Sequence, residues 1–438
     1  MRKLIYTFVC LITVLSLSSC LDHEDNLPVR HIKIQLQLPD GVVGNFNEPV
    51  EVSLKHLVNG TVFKADTDNE GIASFDVLDG LYEAAVSDKV MMNHRLVMVN
   101  GLNSNVVVND KTTQVALKLD MSNSGSIVIK ELYIGGCPGD NGKPFTRDQY
   151  VVLYNNSELP IDVSDYVFAA VTPYNSHAEN YDYVGDELSY AKDKLIPAGN
   201  AVWYFTDKVV IESGKQLVVA FQSGVDHTIT YSQSVDLSDP TYYCMYDTEK
   251  FDNKNYYPSP SEDISLSHHL KAHKFKGITS NAWTLSNMSP AFFLFCPDGM
   301  DLTSFVQDPK NFTQYNNSKV NTRAMVPEAW VIDGIEVYKE DASKNQKRLL
   351  PSVDAGYVNL TARLGRTLYR NVDKEATEAL KENEGKLVYN YALGIEGSTD
   401  PSGIDAEASL QNGARIIYMD TNNSSKDFHQ RSKSSLRK

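Results

Sequence analysis

From His31 the chain alternates. Ile32, Ile34, Leu36 and Leu38 are apolar, with Lys33, Gln35 and Gln37 between them. A period of two is that of a strand with one face buried. Asp40-Gly41 marks a turn, and Val50, Val52 and Leu54 resume the alternation. Thr61, Phe63 and Ala65 lead into a second turn, Asp66-Thr67-Asp68-Asn69-Glu70-Gly71. Ile72, Phe75 and Val77 follow, then Asp79-Gly80, then Tyr82, Ala84 and Val86. Segments 95–99, 104–108 and 113–119 complete the run. About seven short strands, most closed by Asn, Asp or Gly, predict an all-β sandwich of the Ig/prealbumin kind over residues 31–121.

Ser122-Asn123-Ser124-Gly125-Ser126 is the clearest linker, short and polar. A second β unit, 126–429, opens with Ile127, Ile129, Leu132 and Ile134. Strand signals recur at 149–157, 203–205, 217–221, 330–337 and 365–371. Asp373 to Glu384, rich in Glu, Ala, Lys and Leu and stopped by Gly385, predicts one helix. Residues 222–329 do not fit a minimal sandwich. They read as a long insertion whose backbone is covered by its own aromatics or by a partner. Long loops cost little entropy to shorten, so the sandwiches are expected to fold without residues 232–282. Residues 430–438 are basic and Ser-rich, which predicts a frayed, flexible tail.

The first residues change the picture from a plain globular chain to an exported one. Arg2 and Lys3 precede a mostly apolar stretch, Leu4 to Leu17, too short for a membrane span. Leu17-Ser18-Ser19-Cys20 resembles a bacterial lipobox, in which the Cys is acylated and becomes the new N-terminus. That implies a signal peptide over 1–19 and a lipidated tether over 20–30. Asp22, Glu24 and Asp25 follow at once. They read either as a solvated tether or as a cluster resembling the surface-export signal of Bacteroidetes lipoproteins. The length of 438 residues fits two or three domains, and 42% hydrophobic with 22% charged residues excludes wholesale disorder. The net charge of -15 argues against nucleic acid as a partner, since such a grip needs concentrated Lys and Arg.

Two family resemblances follow. Val50-x-Val52-x-Leu54, Ala65-Asp66-Thr67-Asp68 with Gly71, Ala73 and Phe75, and Leu78-x-Gly80-x-Tyr82 together resemble a carboxypeptidase-regulatory-like domain. Such modules are accessory and non-catalytic. Gln149–Ser157, Ile161–Tyr166, Leu195–Gly199 with Trp203-Tyr204-Phe205, and the ending Asp420-Thr421-Asn422-Asn423-Ser424 with Asp427-Phe428 resemble a lamin-tail-like sandwich. With the lipobox, nearly the whole mature chain resembles an uncharacterised family of Bacteroidetes lipoproteins. That resemblance implies fold and place and carries no agreed activity.

Candidate chemistry gathers in the insertion. Tyr242, Tyr243, Tyr246, Tyr256 and Tyr257 offer flat faces for a sugar or aromatic ligand, or phenolate oxygens for iron or haem; the plain alternative is aromatic plugging of a loop. His268, His269 and His273 form the densest imidazole cluster. On a helix His269 and His273 would share a face and could ligate one metal, although Lys271, Lys274 and Lys276 oppose a cation. Gly135-Gly136-Cys137-Pro138-Gly139-Asp140-Asn141-Gly142 lacks the Gly-Lys-Ser/Thr of a phosphate loop and reads best as a hairpin turn. Cys137, Cys244 and Cys296 show no metal spacing and read as buried reduced thiols. No hydrolase, zinc-protease or dinucleotide signature is present. No cofactor is indicated by a motif.

The expectation is a non-enzymatic, surface-exposed outer-membrane lipoprotein. It would bind a ligand or partner, as accessory to a TonB-dependent transporter of a nutrient such as iron or haem. The alternatives are a hydrolase with carboxylates in the insertion, and a structural or adhesive surface protein. Cys20→Ser is expected to release the chain from membranes, because acyl chains supply nearly all the membrane affinity of an otherwise acidic, water-facing chain. Fractionation after a high-salt wash checks this: a variant that still pellets with outer membrane has another anchor.

Overall fold

The computed structural model describes residues 28–39, 46, 49–92, 95–123, 126–185, 187–318 and 321–437. The leader 1–19, Cys20, the cluster Asp22, Glu24 and Asp25, and the Asp40-Gly41 turn lie outside the described residues. The protein is all-β with a few short helices, and it divides into two compact units, Met1–Met121 and Ser122–Lys438. Among the described residues no helix is long and apolar enough to cross a membrane.

In the first unit Val29–Gln37 lies between Ile72–Leu78, antiparallel, and Gln114–Lys118, parallel. A second sheet runs in the order Val62–Asp66, Glu51–His56, Gly80–Met92, Arg95–Val108, Asp120–Asn123. Alternation sends Ile32, Ile34, Val52, Leu54, Phe75, Val77 and Val106 into one core. In the turn at 66–71, Asp68 Oδ1 accepts from the N–H groups of Glu70 and Ile72, and Gly71 takes φ +76°. One difference from the sequence reading is plain. Segments 95–99 and 104–108 belong to a single strand paired along Gly80–Met92. The apparent break at Gly101 is a close approach, since a Cβ there would lie 2.9 Å from Leu119 Cδ2.

The second unit is built on one twelve-stranded sheet. Its order is Val358–Leu360, Val331–Lys339, Ala291–Phe295, Val167–Ala170, Ala201–Tyr204, His269–Lys274, Tyr243–Met245, Gln216–Ala220, Tyr150–Asn155, Ile127–Tyr133, Thr367–Arg370, Phe428–Arg431. The two ends meet. Val358–Leu360 packs on Phe428–Arg431, and the Thr361 N–H donates to Gln430 Oε1 at 2.8 Å. Across the interior the Ile129 N–H donates to Asp333 Oδ2 at 2.6 Å. The sheet thus curls around a core that includes Phe168, Trp203, Phe221, Phe292 and Leu368. A three-stranded sheet of Leu195–Gly199, Thr322–Pro327 and Phe312–Gln314 contributes to a second core with Val167, Phe293, Phe295 and Val326. Ala291–Phe295 is therefore buried on both faces, which explains its unbroken apolar run.

Three expectations are corrected. Residues 222–329 are not a decoration on a finished sandwich. Tyr243–Met245 and His269–Lys274 lie in the middle of the sheet and join Ala201–Tyr204 to Gln216–Ala220. A three-residue strand in parallel pairing carries too few positions to register as a period. The helix expected over 373–384 is shorter, Lys374–Ala379, followed by a 3-10 turn, Lys381–Asn383. It breaks at Leu380 where the Asn383 amide donates to both Thr377 O and Arg415 O. The tail is docked: Phe428–Arg431 is a buried strand, and Ser435 donates through its N–H and hydroxyl to the Glu131 carboxylate.

Deleting residues 232–282 removes two strands from the centre of the sheet. The expected outcome is loss of the cooperative thermal transition of the second unit, followed by near-UV circular dichroism. A deletion variant that keeps that transition would show the sheet can close without them.

Candidate functional site

The Gly-rich segment forms a hairpin. Cys137 and Phe145 exchange both backbone hydrogen bonds at 2.9 Å. Gly136 takes φ +72°, and a Cβ there would come within 2.1 Å of the Phe145 carbonyl oxygen. Only glycine permits that approach. The hairpin delivers Phe145, Thr146 and Arg147, just ahead of strand Tyr150–Asn155.

Five other segments converge on it. Gln222 follows strand Gln216–Ala220. Tyr231 follows the 3-10 turn His227–Ile229, which Asp226 caps. The Tyr231 ring stacks on Phe145, with centroids 4.0 Å apart and planes 12° from parallel. Its loop is tied to the hairpin where Ser232 donates through N–H and Oγ to Asp140. Tyr256 sits beside Tyr257, whose hydroxyl donates to Trp283 O at 2.7 Å. Tyr174 and Thr284 lie within hydrogen-bond reach through their hydroxyls at 3.1 Å. These residues, with Asn287 and Leu285, enclose a cleft of about 270 Å³.

The floor of the cleft is a fixed amide chain. Gln149 Nε2 donates to Ile134 O and Leu285 O, so its Oε1 must face Gln222. Gln222 Nε2 donates to that oxygen at 2.9 Å. Gln222 is only 3% exposed, and its own Oε1 has no hydrogen-bond partner. Arg147 is half-buried, 5.6 Å from the Phe145 ring and 5.9 Å from the Tyr256 ring. It makes no hydrogen bond or ion pair with a described residue. Burial raises the Tyr174 phenol and pushes the His227 imidazole down to about 4, so His227 is neutral beside Phe145. Behind the floor burial pushes Asp148 up to about 6 and Cys137 up to about 12. A thiol held that high is not a nucleophile at neutral pH.

Two loops of the cleft are pinned from beneath by a fully buried ion pair. Arg348 Nε and Nη2 donate to Glu336 Oε1 at 2.9 and 2.6 Å. Arg348 Nη1 donates to Pro173 O and Nη2 to Ser289 O, both at 2.9 Å. Pro173 precedes Tyr174, and Ser289 closes the loop that carries Thr284 and Asn287.

Of the residues singled out in the sequence, only Tyr256 lines this cleft. Tyr257 is buried in the main core, and Tyr242 packs in a small cluster with Cys244. Tyr243 stacks on His268 at 4.1 Å, and Tyr246 meets His269 edge-on at 5.4 Å. The shared-face reading of His269 and His273 fails, because they lie on a strand, not a helix. Four residues along a strand span about 13 Å, too far for one metal. His273 instead stacks on Tyr204 at 4.7 Å. Among the described residues no group of three or more His, Cys, Asp or Glu is placed to hold a metal. Cys137 and Cys244 are free and buried, and Cys296 is half-buried. Arg147, Gln222, Tyr174 and Tyr231 escaped the sequence reading. The one available signal was Arg147, close behind a Gly-rich turn.

Fold and cleft together define an all-β protein of two units with an aromatic, one-cation cleft on the second. Residues 212–390 match the sequence model of DUF4876, described as a protein of unknown function. The chain is similar to a DUF4876 family protein from Bacteroides thetaiotaomicron known from a crystal structure. Identity is 19% over 92% of this chain and 94% of that one, with a TM-score of 0.52, so the likeness is one of fold. A DUF3823 family protein from Parabacteroides merdae aligns at 15% identity over 42% of this chain and 92% of that one; its TM-score of 0.15 carries no argument. No curated protein matches the chain.

Arg348→Met leaves Glu336 buried without its cation, and is expected to cost roughly 3–5 kcal/mol. Arg348→Met combined with Glu336→Met should recover most of that in urea unfolding. Both variants lose the donors to Pro173 O and Ser289 O, so amide exchange around 174–176 and 284–289 should stay fast. Slow exchange there in the double variant would mean the loops are held by something else.

Proposed function

We propose that the protein is a surface-displayed outer-membrane lipoprotein that binds a small ligand in this cleft without transforming it, beside a TonB-dependent nutrient transporter. The observation that carries this is the cleft: three tyrosines around a half-buried guanidinium and a buried amide oxygen, neither with a hydrogen-bond partner among the described residues. The lipobox at Cys20 and the acidic cluster behind it support the location. Gly71 at the tight turn and Phe75 in the core support a carboxypeptidase-regulatory-like first unit. We read the second unit as lamin-tail-like on its strand motifs.

Binding is favoured over hydrolysis because the side chains lining the cleft include no carboxylate, thiol or imidazole to act as acid, base or nucleophile. Iron and haem are disfavoured because His269 and His273 are spread along a strand, and His268 and His273 are stacked on tyrosines.

A thermal-shift screen tests the reading. The probes are sugars, sugar acids, amino acids, aromatic acids, nucleosides, haem and ferric iron, each applied to the wild type and to Tyr256→Ala. At least one organic class should raise the wild-type midpoint by mass action and lose that effect in the variant. No shift from any class, or shifts equal in both proteins, overturns the cleft as a binding site.

A further inference from the structure

We propose that the cleft takes a hexuronic acid, the carboxylate-bearing ring of an acidic polysaccharide. This rests on the reading of the cleft as a ligand site. Charge favours an acid. Arg323 pairs with Asp182, Arg348 with Glu336, Arg370 with Asp333, and Arg415 with Glu158 and Glu382, whereas the buried Arg431 makes no ion pair among the described residues and lies 4.7 Å over the Tyr369 ring. Arg147 has only the rings of Phe145 and Tyr256. In a chain with 56 acidic and 41 basic residues, a guanidinium lining a cleft without carboxylates is a positive spot. The cleft wall holds no Asp or Glu to compete for it. Its planar fork suits a carboxylate.

The floor favours a hydroxyl. Gln222 Oε1 is an acceptor fixed by the Gln149 amide, buried and without a donor. Leaving such an oxygen unpaired is destabilising, and a ligand hydroxyl that shifts the side chain enough to reach it recovers that cost. Shape favours a sugar ring. Tyr174, 48% exposed, and the half-buried Tyr231 and Tyr256 present ring surface to the C–H face of a sugar. The cleft lies just under the roughly 300–1,000 Å³ of drug-sized pockets, the scale of one ring. Thr146, Thr284 and Asn287 offer further polar partners. A flat aromatic acid would leave these facing its ring, whereas a sugar ring carries a hydroxyl for each.

Titration calorimetry on the full-length protein separates the terms. D-galacturonate and D-glucuronate are compared with their methyl esters, with galactose and glucose, and with 4-hydroxybenzoate and acetate. At least one hexuronate should bind, and its methyl ester should bind roughly ten- to a hundredfold more weakly, the worth of a charge-assisted hydrogen bond. Arg147→Gln should abolish the difference between acid and ester, and Arg147→Lys should restore part of it. Gln222→Met should weaken acid and ester by the same factor. Esters or neutral sugars binding as tightly as the acids, or 4-hydroxybenzoate or acetate matching them, would overturn the proposal. So would silence from both hexuronates. If another class from the screen still stabilises the wild type and not Tyr256→Ala, the acidic-sugar inference alone falls. If nothing acts through Tyr256, the cleft reading falls with it.

Discussion

Glu336 and Arg348 are both fully buried, and neither group of charges reaches water. A buried ion pair is costly to desolvate, and its net contribution to stability is small unless every polar atom finds a partner. Here they do. Glu336 Oε1 accepts from Arg348 Nε and Nη2, and Oε2 accepts from the backbone N–H groups of Arg348 and Leu349. The remaining guanidinium donors go to Pro173 O and Ser289 O. Those two carbonyls belong to different loops, far apart in sequence, and both loops wall the cleft. The pair is therefore a positional device. It fixes two irregular segments that have no sheet hydrogen bonds of their own to hold them.

The same strand carries a second buried acid. Asp333 lies three residues before Glu336, so the pleat turns the two carboxylates to opposite faces. Asp333 accepts from the Ile129 N–H and from Arg370, and Arg370 Nε donates to Ile129 O at 2.7 Å. Asp420 and Asp427 stand 3.6 and 3.7 Å from the same guanidinium. Burial pushes Asp333 up to about 7; the Asp420 charge adds to the rise and the Arg370 guanidinium opposes it. This cluster ties the strand Val331–Lys339 to Ile127–Tyr133 and Thr367–Arg370, near opposite ends of the twelve-stranded sheet. An open sheet of that width would expose two long edges; curled and cross-linked in this way, the edge strands lie against each other.

The first unit was readable because its strands are long enough to show a period and its turns use residues with a local reason to be there. Asp68 and Gly71 are such residues. In the second unit the outer strands were readable for the same cause. The centre was not. Tyr243–Met245 has three residues, pairs in parallel on both sides, and takes its place through contacts with distant strands. The histidines misled because a spacing of four suits one metal on a helix and not on a strand. The basic, Ser-rich tail looked frayed, yet Ser435 completes the hydrogen bonding of the buried Glu131, a partner 304 residues away. Of the cleft, Tyr256 was visible as part of an aromatic run. Gln222 was not, since its meaning lies in the orientation of Gln149, and no local pattern encodes that.

Many buried polar side chains in this unit are fully satisfied, and the cleft is one of several places where one is not. Arg348, Arg370 and Arg323 each reach a carboxylate and further acceptors, and Gln149 uses both its amide hydrogens. At the cleft the next amide in that chain, Gln222, ends in an unpaired oxygen, and the nearby Arg147 has ring faces alone. Unsatisfied polar groups are destabilising, and rigid surroundings hold them in place without collapse around them. The rigid parts are local: a hairpin that only Gly136 allows, a stacked Phe145–Tyr231 pair, and two loops pinned by Arg348. A site so held loses little conformational entropy when a ligand arrives, so even the few polar contacts available to a single ring can count toward affinity.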